Sequence, residues 1–135
     1  MKSFLLFIAL LCAVALSSGS APSAANAVNA GNAAKRERAV VKFNQPVKVM
    51  GVTLKGEYLF VHDDEAMARG GACTFVYKGV AEIPNKLVVS FHCTPAPRAK
   101  VDSFTVRTLL TSPGQSELRE FQFGGSVETH LVPVS

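Results

Sequence analysis

Residues 41–60 read VKFNQPVKVMGVTLKGEYLF, and the spacing of apolar residues in this stretch decides the fold class. Residues 40–43 begin a predicted strand, and residues 44–46 (NQP) interrupt it, because proline cannot donate to the hydrogen-bond ladder of a sheet. Alternation resumes at residues 47–49. At Gly51 the apolar alternation changes phase, from Val47 and Val49 to Val52 and Leu54, which indicates a tight bend or a bulge.

The second half of the stretch predicts another strand. Lys55-Gly56 is a candidate turn, and residues 57–62 (EYLFVH) follow it. Because alternate residues of a strand share a face, Tyr58, Phe60 and His62 are expected on the same side of the sheet.

The rest of the chain repeats this pattern of short strands between Pro and Gly residues. A helical turn is expected within residues 63–71, where an aspartate precedes EAMAR and a glycine follows it. Further strands are predicted at residues 72–78, 86–93, 103–110, 117–123 and 126–132, with a turn at 112–115. Residues 94–97 (TPAP) cannot lie in a central strand, since both prolines lack donors.

Seven or eight short strands without helical periodicity predict an all-β fold, an antiparallel β-sandwich or small barrel over residues 39–135. The predicted core consists of Val41, Phe43, Val49, Leu54, Tyr58, Phe60, Phe75, Tyr77, Val89, Phe91, Phe104, Val106, Phe121 and Phe123.

The N-terminal residues predict export. Lys2 precedes an apolar run over residues 4–16 (FLLFIALLCAVAL), which at about 13 residues is shorter than the roughly 20 that span a bilayer. Small residues follow, as at a secretory cleavage site. We assign residues 1–27 to a signal peptide cleaved between 20 and 27, and residues 28–38 to a flexible tether. Leu11 before Cys12 is unlike a lipoprotein signal, so a periplasmic or extracellular protein without a transmembrane span is expected.

Composition excludes several other classes. The 135 residues are 48% hydrophobic and 18% charged, which is too apolar for a disordered chain and allows one domain. The formal charge of +4 falls to +3 once Lys2 leaves with the signal, and the basic residues form no face suited to nucleic acid.

Cys73 and Cys93 remain after signal removal and lie in strands predicted to form a hairpin. If they face each other, Phe75 faces Phe91 and Tyr77 faces Val89, which are favourable cross-strand neighbours. Since export favours oxidation, we expect a Cys73–Cys93 disulfide. Two free thiols or two metal ligands are the alternatives.

The three histidines are the other candidate ligands. His92 and Cys93 are both residue types that bind metals, but neighbours in a strand point to opposite faces and do not naturally share one ion. His62 is expected to be partly buried. A site of His62, His92 and His130 would require residues far apart in the sequence to converge, so hydrogen-bonded structural histidines are the preferred interpretation.

The acidic residues 63–65 could offer oxygen ligands to Ca²⁺, but their spacing is not that of an EF-hand. Helix capping is the preferred interpretation of this segment.

No catalytic motif is present. The sequence lacks G-x-S-x-G, H-E-x-x-H and a P-loop, and Ser90 and His92 on one strand do not form a triad. We therefore expect no enzymatic activity and no cofactor.

The opening stretch resembles that of small exported bacterial β-rich proteins of uncharacterised function, in which a V-x-F-x-x-P-V strand leads to a G-x-Y-x-F strand. The matching positions are Phe43, Pro46, Val47, Gly51, Leu54, Gly56, Tyr58 and Phe60. This resemblance implies a fold and no catalytic residues.

The sequence thus predicts an exported, non-enzymatic β-sandwich that binds an unknown protein or envelope ligand. One alternative is a periplasmic metal- or haem-binding protein that uses His92, His62 or Cys93. The other is a hydrolase with an unrecognised site.

Overall fold

The computed structural model describes residues 34–135; the predicted signal peptide and most of the tether lie outside them. Residues 34–135 contain eight strands, one short α-helix and one 3-10 turn at Pro84–Lys86. In chain order the elements are β1 (Arg36–Val49), β2 (Val52–Asp63), α1 (Asp64–Ala68), β3 (Thr74–Lys78), β4 (Leu87–Phe91), β5 (Thr94–Pro97), β6 (Thr105–Ser112), β7 (Gln115–Gln122) and β8 (Glu128–Leu131).

The strands form one curled sheet in the order β4-β3-β2-β1-β7-β8-β5. β6 lies outside this order and pairs with β7. The two end strands of the sheet, β4 and β5, are joined by only His92 and Cys93, so the sheet must curl back on itself. This architecture confirms the predicted all-β class. The pairing departs from a purely antiparallel sheet in one place, since β1 and β7 run parallel where Val47 and Lys48 pair with Ser116 and Glu117.

The β1–β2 hairpin corrects two predictions. Met50 and Gly51 both have positive φ (49° and 81°) and make the tight turn expected at Gly51. The predicted break at residues 44–46 is wrong, because β1 continues through them and absorbs Pro46 in a register shift between Phe43 and Val47. The predicted turn at Lys55-Gly56 is also wrong: Gly56 lies inside β2 opposite Phe43.

The charged segment before residue 39 belongs to the fold. β1 begins at Arg36, four residues before the predicted start of the strand, and the side chains of Arg36 and Arg38 both form ion pairs with Glu82. The helix is as predicted, since the Asp63 carboxylate accepts a hydrogen bond from the Ala66 amide (3.0 Å) and caps α1.

Phenylalanine rings fill much of the core. Phe60, Phe91, Phe121 and Phe123 are buried, and Phe121 lies 5.5–6.3 Å, centroid to centroid, from the other three. Eight predicted core residues are buried, whereas Val41, Phe75, Tyr77, Val89, Phe104 and Val106 are only partly so. The structure adds Val47, Leu59, Val61, Val76 and Leu118, together with buried polar side chains.

The predicted register of the β3–β4 hairpin is wrong by one residue. Phe91 faces Thr74, and Phe75 faces Ser90. The inward side chains explain the shift: Thr74 and Val76 are fully buried, so β3 presents the alternate set of residues to the core.

The proline-rich strand occupies an edge, as its composition requires. β5 pairs only with β8, so the missing donors of Pro95 and Pro97 leave no central ladder incomplete. Within residues 34–135, no helix has the length and apolar character needed to cross a membrane.

Replacement of Gly124 tests the close approach of two loops. A Cβ at Gly124 would lie 2.9 Å from the carbonyl oxygen of Asp102, so Gly124→Ala is expected to destabilise the domain by about 1–3 kcal/mol. At Gly71 the nearest atom would be 3.8 Å away, and Gly71→Ala serves as the matched control. Urea unfolding followed by circular dichroism measures both variants, and equal stabilities would contradict the predicted clash.

Candidate metal centre

His62 lies at the end of β2 and points into the core. It continues the inward face of Tyr58 and Phe60, as strand alternation predicts, and is fully buried. Its Nδ1 is 3.3 Å from Oδ1 of Asp64 but not in hydrogen-bonding geometry. Within the described part of the chain, neither ring nitrogen of His62 has a hydrogen-bond partner.

His130 reaches the same place from β8. The strand pairs with β7 so that His130 is opposite Phe121, and the two rings are stacked with centroids 5.0 Å apart. The ring of His130 is also 4.0 Å, centroid to centroid, from that of His62. Its Nε2 lies 4.0 Å from a carboxylate oxygen of Glu37, on β1.

The two cysteines come from the ends of neighbouring strands. Cys73 directly precedes β3, and Cys93 belongs to the link between β4 and β5. Both are fully buried, and the backbone N–H of Cys93 donates to Sγ of Cys73 (3.2 Å). Their sulfur atoms are 3.1 Å apart, longer than the roughly 2.05 Å of a disulfide, so both are thiols in this structure. The disulfide stays a prediction, although the predicted proximity is present.

These four side chains form one group, here called the Cys2His2 cluster: His62, Cys73, Cys93 and His130. Sγ of Cys93 lies 3.6 Å from Nδ1 of His130. A ring nitrogen of His62 and the two sulfur atoms all lie within 4.8 Å of one another. His62 therefore lies near both sulfur atoms, and His130 lies near Cys93 and His62. Ligand atoms of Glu37, His62 and His130 also lie within 4.8 Å of one another.

His92, the third candidate histidine, lies outside the cluster. Its side chain is exposed, and Nδ1 is 2.8 Å from the carbonyl oxygen of Gly71. His92 and Cys93 thus point to opposite sides, as expected for neighbours in extended chain. Cys93 takes the inward position.

The remaining candidates have structural surroundings. Asp63 caps α1, and Glu65 pairs with Arg69 on the same helix. Ser90 is exposed on β4. Of the acidic segment, only Asp64 approaches the cluster.

Burial controls the protonation of the cluster. Desolvation lowers the pKa of His130 from 6.5 to about 4, and the nearby His62 acts in the same direction. Desolvation also lowers the pKa of His62, against the opposing effect of Asp64. Burial raises the pKa of the Cys93 thiol to about 12. Without a bound ion, burial therefore favours uncharged imidazoles at His62 and His130 and a protonated thiol at Cys93.

Comparison of the chain with protein-family models, curated proteins and solved structures found no match. The resemblance to small exported β-rich proteins therefore stays a prediction. Function has to be inferred from the cluster itself.

The metal-free domain is expected to lose stability as the pH falls from 6.5 towards 4. Because the folded-state pKa of His130 is depressed, the unfolded chain binds a proton at a higher pH than the folded chain. The stability is complete above the unfolded-state pKa and decreases by about 3 kcal/mol as the pH falls to the folded-state value.

Urea unfolding in the presence of a chelator measures this dependence. His130→Gln is expected to flatten the profile, while His92→Gln, which changes an exposed ring, is expected to preserve it. An unchanged slope in His130→Gln would exclude His130 as its source.

Proposed function

We propose that the domain binds one divalent transition metal ion, of the zinc class, through His62, Cys73, Cys93 and His130. The observation that carries the proposal is the position of Cys93 Sγ, 3.1 Å from Cys73 Sγ and 3.6 Å from His130 Nδ1. Two cysteines and two histidines are a common donor set of structural zinc sites.

The spacing of the donors supports an ion of this size. Zinc lies about 2.3 Å from sulfur and about 2.0 Å from nitrogen, so tetrahedral donors are roughly 3.3–3.8 Å apart. The sulfur–nitrogen distance of 3.6 Å already falls in this range, and the sulfur atoms need to separate by only about 0.7 Å. Donors that converge on so small a space favour a single ion over haem.

Charge balance favours a divalent ion. The cluster is buried, and an uncompensated charge in such surroundings is costly. Two thiolates and two neutral imidazoles around a dication give a neutral complex, whereas a monovalent ion would leave one negative charge. Four protein donors also fill a tetrahedral site, as in structural rather than catalytic centres.

Two carboxylates stand behind the histidines. Asp64 is beside Nδ1 of His62, which leaves Nε2 available to the ion, and Glu37 faces Nε2 of His130, whose Nδ1 is directed at Cys93. Carboxylates that accept a hydrogen bond from a ligating imidazole orient it and raise its basicity. Asp64 and Glu37 would need only a small movement to accept such bonds in the metal-bound domain. This arrangement favours ligation over the purely structural role that the sequence predicts for histidines.

The proposal follows the alternative interpretation of the sequence, a metal-binding protein that uses His62 and Cys93, and replaces the exposed His92 with Cys73 and His130 as ligands. Export of the domain and the absence of enzymatic activity remain part of the proposal, supported by the apolar run over residues 4–16 and by the closed donor set.

Metal analysis of the full chain, purified without a tag, tests the proposal. We expect about one zinc ion per chain, and cobalt substitution is expected to give the absorption bands of tetrahedral thiolate coordination. The double variant Cys73→Ser, Cys93→Ser should lose both signals, whereas His92→Gln should retain them. Circular dichroism checks that each variant folds. Stoichiometric zinc in the folded double variant, or no zinc in the natural chain after zinc reconstitution, would refute the site.

The carboxylates behind the histidines give a second prediction. Asp64→Asn and Glu37→Gln are each expected to weaken zinc binding about 10–100-fold, because the imidazoles lose their orienting partners. Glu65→Gln is the matched control, since Glu65 lies on the exposed side of α1. Competition with a chromophoric chelator measures the affinities, and equal values in all three variants would contradict the role of Asp64 and Glu37.

A further inference from the structure

We propose that zinc and a disulfide compete for Cys73 and Cys93, so that oxidation of this pair closes the metal site. The inference rests on the proposed function and adds a redox condition to it. It joins the two interpretations of the cysteines that the sequence leaves open.

The distance between the two sulfur atoms lies between the values expected for a disulfide and for a zinc-bound pair. The sulfur atoms, now 3.1 Å apart, must approach by about 1 Å to form a disulfide and separate by about 0.7 Å to bind zinc. The amide of Cys93 already donates to Sγ of Cys73, which keeps the two residues in register. Neither cysteine lies within the β3 or β4 ladder, since Cys73 precedes β3 and Cys93 follows β4.

Oxidation by a disulfide reagent balances as a thiol–disulfide exchange. One cysteine, as thiolate, attacks the reagent R–S–S–R, forms a mixed disulfide and releases one R–S⁻, which takes up the proton that the cysteine lost. The second cysteine attacks the mixed disulfide at the protein sulfur and releases the second R–S⁻ in the same way. The pair loses two electrons and two protons in total, and the reagent becomes two R–SH.

The disulfide removes half of the donor set and both thiolate charges. His62 and His130 remain, and the nearest negative charges are then the carboxylates of Asp64 and Glu37, 3.3 and 4.0 Å from ring nitrogens of these histidines. The oxidised domain is therefore expected to bind zinc at least about 100-fold more weakly than the reduced domain.

Burial of Cys73 and Cys93 determines when an oxidant can reach their sulfur atoms. Both cysteines are inaccessible in the folded domain, so a disulfide reagent reaches them before the sheet closes or during an opening. Zinc bound to the folded domain lowers the population of open states by mass action. Whichever partner engages the cysteines first is then retained.

Refolding of the full chain tests this competition. Cys12→Ser leaves Cys73 and Cys93 as the remaining thiols. The reduced, unfolded chain is diluted into buffer with zinc, with oxidised glutathione, or with zinc followed by oxidised glutathione. Zinc content, zinc affinity, and thiol content after denaturation are measured in each case, with circular dichroism to confirm folding. Reduction of the oxidised sample with a phosphine provides the reversal control.

We expect the zinc-refolded chain to hold about one zinc ion and two free thiols. The glutathione-refolded chain should have no free thiols, carry no glutathione by mass spectrometry, bind zinc at least about 100-fold more weakly and recover binding after reduction. The chain given zinc first should keep its thiols.

Three results would overturn the competition: zinc binding of equal strength by the oxidised chain, retention of both thiols in glutathione alone, or equally fast oxidation with and without bound zinc. If instead the reduced, folded chain binds no zinc, the proposed function fails, and thiol loss in glutathione still reports whether the disulfide forms.

Discussion

The two-residue link between β4 and β5 is the constraint on which the arrangement of the domain depends. β4 and β5 are the end strands of the sheet, yet His92 and Cys93 alone join them. The sheet can satisfy this connection only by curling until its ends meet. That curl brings β8, the neighbour of β5, against the inner face of β2, and His130 thereby meets His62. Because Cys93 is itself half of the link, closure of the sheet and assembly of the cluster are the same event.

The cluster occupies a place where apolar side chains would be simpler. Its neighbours include Phe121 and Phe123, whose rings contact His130. Each buried polar group without a partner costs about 1–3 kcal/mol, and both ring nitrogens of His62 lack hydrogen bonds within the described residues. A small domain with a limited core has little stability to spare for such groups. The proposed ion would lower this cost, because one of the unpartnered nitrogen atoms of His62 would become a ligand.

Local sequence patterns were sufficient to predict part of this site. Alternation with Tyr58 and Phe60 predicted the inward direction of His62, and the opposite faces of neighbouring residues separated His92 from Cys93. The proximity of Cys73 and Cys93 was also predictable. The register of β3 and β4 was not, because a register that places the two cysteines opposite each other differs by one residue from the register that buries Thr74 and Val76. The all-β class followed from the spacing of strands and turns.

The non-local part of the site could not be predicted in this way. The position of His130 depends on the pairing of β8 with β7 and on the curl of the sheet, neither of which has a local signature. Glu37 was assigned to a tether because a charged run shows no apolar alternation, although backbone pairing with His62 places it in β1. Pro46 likewise suggested a strand end, whereas β1 accommodates it in a register shift.

The two fates proposed for the cysteines would affect the fold differently. A disulfide would close the 20-residue separation between Cys73 and Cys93, worth about 3 kcal/mol in the chain-entropy model, and would tie together segments that β3 and β4 already hold. Zinc would connect the same two segments to β2 and β8 as well. It would therefore link β3, which lies beside the end strand β4, to β8, which lies beside the end strand β5. With the disulfide, His62 and His130 would stay buried without a metal ion to bind, whereas zinc would be bound by both. Stabilisation by the proposed metal would therefore involve strands across the sheet and would depend on the free metal concentration, whereas stabilisation by the disulfide would be confined to the β3–β4 region and would not depend on metal.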